Sequence, residues 1–147
     1  MIKGCMFIII IGVVACCGQA KSSLDDRDAK TTIQNLFSYA SNEKYDSLKV
    51  IFPSEFLQNA NDSYLKIYFR DIRKIVNVNG IPDQSQLMII PSSVNWDEYR
   101  ATYVPKSAKS LYVDSVQFIF RKSVGFDKVW FMKVFNNDRM FDSIRTH

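Results

Sequence analysis

The side chains of this sequence that could orient or act on a small molecule are a set of aromatics with polar tips and a scatter of carboxylates. The aromatics are Tyr64, Tyr68, Tyr99, Tyr103, Trp96 and Trp130; the carboxylates include Asp25, Asp26, Asp97, Glu98 and Asp127. Tyrosine and tryptophan pack an apolar ring while leaving one hydrogen-bonding atom free, which suits the wall of a ligand pocket. Tyr68, Tyr99, Tyr103 and Trp130 are the candidates for such a wall. Paired carboxylates do acid/base work only at a defined separation in space. Asp25 and Asp26 are accounted for as helix-start residues and Asp97 and Glu98 as strand-edge residues, so no catalytic residue is assigned.

The rest of the chemical inventory excludes more than it offers. The one histidine is His147, the last residue, which removes histidine acid/base chemistry, a Ser-His-Asp triad and zinc sites with two histidines. No metal site and no cofactor is expected. Of the five glycines only Gly80 and Gly125 lie beyond the first 18 residues, too few for a loop that cradles phosphate. The net charge of +4, with Lys3 contributing one, comes without the clustered cations or interleaved stacking aromatics of a nucleic-acid binder, so that partner class is set aside. Lys66, Arg70 and Lys74, with Arg73 beside them, fall on one helical stripe that reads as a solvated face; anionic headgroups are the alternative.

All three cysteines, Cys5, Cys16 and Cys17, lie at the N-terminus, and none follows Gly18, which excludes a disulfide framework. Met1-Ile2-Lys3 is a short basic start, residues 6–15 form an apolar run broken only by Gly12, and Cys16-Cys17-Gly18-Gln19 turns polar. That is the layout of an export signal, and its apolar part is half of what a transmembrane helix needs. Val13-Val14-Ala15-Cys16 resembles the bacterial lipobox. The resemblance implies cleavage between Ala15 and Cys16, a diacylglyceryl group on the Cys16 sulfur, and membrane attachment through two or three acyl chains. The address implied is the cell membrane or the outer membrane of a bacterium, facing periplasm or exterior. The alternative is an ordinary signal cut after Ala20, with Gly18 and Ala20 as the small residues, which would release a free secreted protein.

Beyond residues 1–15 as signal and 16–24 as tether, residues 25–147 read as one domain. Ser23-Leu24-Asp25-Asp26 has capping-box form and predicts a helix start, with Ala29, Ile33, Leu36, Phe37 and Ala40 on one stripe. Tyr45, Leu48, Ile51 and Phe52 form a short second helix stopped by Pro53. A third begins at Asn61 or Asp62, carries Leu65, Tyr68, Phe69, Ile72, Ile75 and Val76 inward, and ends before Asn79-Gly80. From residue 86 the period falls to two, predicting an antiparallel meander of strands at 86–90, 96–104, 111–122 and 128–135. In the third, the alternation slips between Val113 and Val116, which predicts a bulge near Asp114 or Ser115. The last strand is apolar on both faces, Val129, Phe131 and Phe135 against Trp130, Met132 and Val134. One face needs the helices; the other needs the tail through Met140, Phe141 and Ile144, or a second copy.

Helices followed by a bent antiparallel sheet make an α+β domain. Residues 29–57, and within them Asn42-Glu43-Lys44-Tyr45-Asp46-Ser47-Leu48 leading to Ile51-Phe52-Pro53-Ser54-Glu55-Phe56, resemble the N-terminal helical hairpin of NTF2-like domains. That resemblance implies a cone of helices and curved sheet, used in some members for catalysis and in many for binding. The expected function is a non-enzymatic small-ligand-binding or protein-interaction domain on a lipid anchor, with a homodimer or another envelope protein as partner. The alternative is an enzyme working with a pocket carboxylate and tyrosines. A buried, hydrogen-bonded Asp or Glu would favour the enzyme; a closed core with an exposed apolar sheet face would favour the interaction module.

Overall fold

A computed structural model describes residues 17–106 and 113–136. The chain folds as an α+β domain in which N-terminal helices pack against a four-stranded antiparallel sheet. Residues 1–16, on which the expected signal and the Ala15–Cys16 cleavage site fall, residues 107–112, and the tail with Met140, Phe141, Ile144 and His147 lie outside the described residues.

Helix α1 runs over Cys17–Ser41, so the backbone is already helical before Ser23. The predicted helix start is thereby displaced: Ser23, Asp25 and Asp26 sit inside the helix and not at its first turn. Its stripe is as read from the sequence, with Ala29, Ile33, Leu36, Phe37 and Ala40 all buried. The helix ends at a turn in which Glu43 takes a positive φ of 55° and forms an ion pair with Arg73.

Helix α2 spans Tyr45–Ile51 and buries Leu48 and Ile51. Pro53 does stop it, but the same proline opens a further short helix, α3 at Ser54–Asn59, which the sequence reading did not anticipate. Its fixed φ of −68° and missing N–H suit the start of a helix as well as they end one. Phe52 and Phe56 stack across it with ring centroids 4.8 Å apart. Helix α4, Asp62–Asn79, starts where expected: the Ser63 N–H donates to the Asn61 side chain, and Gly80 closes the far end with φ 75°. Leu65, Phe69, Ile72 and Ile75 are buried on its inner face.

A 3-10 turn at Gln84–Gln86 leads into the sheet, whose strands are β1 (Met88–Pro91), β2 (Glu98–Tyr103), β3 (Val113–Arg121) and β4 (Phe131–Asn136). They pair in sequence order, each antiparallel to the next. The register of β3 on β4 shifts between Val113 and Ser115, which is the predicted bulge. The strands are shorter than read. Trp96 belongs to the loop before β2, and residues 128–130 precede β4: the Val129 N–H donates to Ile51 in α2, and the Trp130 N–H to Ile119 begins the return to β3.

One face of the sheet is the core. Ala101, Tyr103, Val116, Phe118, Phe120 and Met132 point inward and are at most 1% exposed. Phe37 of α1 inserts between Tyr103, edge-on at 5.4 Å, and Phe118 at 6.0 Å. Each large side chain buried this way contributes about 1.5–3 kcal/mol, so this α1–sheet seam carries much of the stability. Thr32, the only buried polar residue described, donates to the Phe126 carbonyl at 3.0 Å and fastens the β3–β4 loop to α1. No helix among the described residues is long and apolar enough to cross a membrane.

Candidate functional site

A cleft of about 580 Å³ lies between the N-terminal part of α1 and the β1–β2 edge. Asp25, Asp26 and Lys30 line one wall, and Met88, Pro91, Tyr99 and Phe126 the other. The i,i+4 spacing on α1 sets the Lys30 ammonium 2.9 Å from the Asp26 carboxylate, and that carboxylate is still 39% exposed. Tyr99 packs edge-on against Phe126 with centroids 5.0 Å apart. The solvated ion pair beside one tyrosine gives the cleft a polar rim.

The aromatic residues proposed as a pocket wall are not brought together. Tyr99 alone reaches the cleft. Tyr103 points to the same side of β2 but four residues on, about 13 Å along the strand, and is sealed in the core at 1% exposure. Burial raises its phenol pKa above the ordinary value. Tyr68 is half-buried on α4, part of the helical layer. Trp130 lies before β4, where the Arg121 guanidinium sits 3.8 Å over its ring, and it borders a shallow groove with Phe56 and Phe131.

Among the other carboxylates, Asp97 is tied into a turn. Ser123 donates to it twice, from its hydroxyl at 2.6 Å and its backbone N–H at 2.8 Å. The serine hydroxyl bond, followed by the backbone bond and nearby Arg121 and Lys122, holds the Asp97 pKa below its usual value against some desolvation. This is a structural staple between two loops. No group of three or more His, Cys, Asp or Glu among the described residues could hold a metal ion. On α4, Asp71 lies 3.4 Å from Arg70 and 3.8 Å from Lys74, and Arg73 is engaged by Glu43, so the basic stripe is interleaved with acids.

The outer sheet face is the surface the sequence did not resolve. The strand registers align Ile90, Arg100, Ile119 and Phe131 in one row across all four strands, with Met88, Thr102, Gln117 and Lys133 in the next. Met88 is 67% exposed, Ile90 46% and Phe131 39%. Within this face Arg100 Nε and Arg121 Nε are shielded from solvent and have no hydrogen-bond partner among the described residues. The alternation 87–90, apolar at every position, carried the signal that both faces of β1 are apolar, but not which face the helices would take.

No protein-family model matches the chain, and neither a curated protein nor a solved structure matches it.

Proposed function

We propose that this chain is a lipid-anchored protein of the bacterial envelope, held through Cys16, whose α+β domain is a non-enzymatic module that binds another protein through the outer face of its sheet. The observation that carries the reading is the contrast between the two sheet faces. The inner face is closed by α1 and encloses no Asp or Glu among the described residues, whereas the outer face leaves Met88, Ile90 and Phe131 in solvent. Scattered apolar residues on a surface mean little; Ile90, Ile119 and Phe131 in one row across the strands, with exposed Met88 in the next, form a face of the kind that docks a partner. In this reading the likeness to NTF2-like domains is one of architecture, with the space inside the cone filled by Tyr103, Phe118 and Phe120 instead of a ligand.

A photo-activated cross-linking residue at Ile90, in cells making the full-length protein, tests the proposal, with the same residue at Val50 on α2 as control because Val50 is also well exposed, at 66%. Discrete adducts from position 90 and none from position 50 are expected. Adducts of twice the chain's own mass identify a second copy, and other masses identify another envelope protein. An absence of adducts at 90, or the same diffuse pattern at both positions, would contradict the reading.

A further inference from the structure

The anchor end of the molecule carries a second feature that the docking face does not use. Helix α1 is helical from Cys17, the residue directly after the expected lipid site, so the chain outside the structure ends where α1 begins. Strand β1 runs back along α1 toward that same end. The Gln34 amide donates to the Pro82 carbonyl ahead of β1, while Pro91, at the far end of β1, faces Asp25 and Asp26 across the cleft. The loop 92–97 therefore leaves the sheet beside the N-terminal part of α1.

That loop is built, and it presents apolar side chains outward. The Ser92 hydroxyl accepts from the N–H groups of Val94 and Asn95, the Asn95 side chain accepts from Asp97, and Asp97 is stapled to Ser123 in the β3–β4 loop. On this framework Val94 is 88% exposed and Trp96 83%, the highest values among the large hydrophobic side chains described. Val124, at 38%, lies on the loop stapled alongside. An ordered turn that holds a valine and a tryptophan in water has the form of a wedge waiting for an apolar medium, and an indole ring with its N–H is suited to the boundary between headgroups and acyl chains.

The distances agree. Eight helical residues from Cys17 to Asp25 rise about 12 Å, and a six-residue loop can stand out by about 10 Å, so lipid and loop tip can meet one surface. Charge does not set the contact. Lys30, beside the cleft, is already paired with Asp26.

We propose that Val94 and Trp96 insert into the headgroup boundary of the bilayer that holds the Cys16 anchor, so that the domain rests on the membrane at two points instead of swinging on a tether. The proposal rests on the lipid-anchor reading, and its test separates the two. The chain has two tryptophans, so Trp130→Phe in the full-length, lipid-processed protein leaves Trp96 as sole reporter, and Trp96→Phe leaves Trp130. Each variant and the wild type are reconstituted into phosphatidylcholine vesicles with brominated acyl chains, with and without phosphatidylglycerol, and followed by flotation and emission. Flotation reads the anchor; quenching reads the loop. Expected are co-flotation of all three proteins, and for the Trp96 reporter a blue shift with about a twofold loss of emission, unchanged by salt or anionic lipid. The Trp130 reporter should be unquenched, and the wild type intermediate, which guards against a misfolded variant. Co-flotation with an unquenched, water-like Trp96 would overturn the two-point contact and leave the anchor standing. Failure to float with Cys16 unmodified would overturn the anchor and this proposal with it.

Discussion

Asp97 is the residue where local chemistry can be checked most cleanly. Its pKa is lowered mainly by the Ser123 hydroxyl. A carboxylate with a depressed folded-state pKa adds stability that is fully present above the ordinary aspartate range and is lost as pH falls through the folded value. The urea midpoint of Ser123→Ala should therefore fall below that of the wild type at neutral pH, and the gap should close as pH drops below the ordinary aspartate value. An NMR titration should show the Asp97 pKa rising in the variant. Gly125 is a second test. Its φ of 109° is strained for any residue with a side chain, and a Cβ there would lie 2.7 Å from an Asp127 oxygen. The carboxylate can swing aside but the backbone cannot, so Gly125→Ala should cost about 1–3 kcal/mol in chemical denaturation.

At the scale of elements, α1 against the inner sheet face is the seam that holds the domain. Phe37→Ala should cost about 3–5 kcal/mol, because the space between Tyr103 and Phe118 cannot collapse onto a helix fixed at both ends. Thr32→Val, nearly isosteric, should cost about 1–3 kcal/mol by leaving the buried Phe126 carbonyl without its donor. Both are measurable as shifts in denaturation midpoint. Much of this seam was legible in the sequence: the stripe from Ala29 to Ala40, the cap and stop of α4 at Asn61 and Gly80, and the phase slip that becomes the bulge are all local signals. What was not legible depended on which side-chain and backbone contacts form, whether near or remote in sequence. Pro53 ends one helix and begins another because Phe56 finds Phe52 to stack on. Trp96 alternates like a strand residue yet falls outside β2, where the loop closes on its own hydrogen bonds. The tyrosines matched a ligand wall by type, but whether Tyr68, Tyr99 and Tyr103 converge depends on how α4 and β2 lie together, which periodicity does not contain.

The whole molecule, as proposed, is an N-terminal lipid joined to a domain whose surfaces, not its interior, meet other molecules. Ile90→Ala should leave stability within about 0.5 kcal/mol of the wild type, since the side chain is already half in water, while reducing adducts from a cross-linker placed at Phe131. The membrane contact proposed for Val94 and Trp96 requires that Cys16 carries lipid. Metabolic labelling with a fatty acid, in cells making the wild type and Cys16→Ala, tests that claim most directly. Label on the wild type and none on the variant is the predicted result. Equal labelling of the two, or none on either, would contradict it.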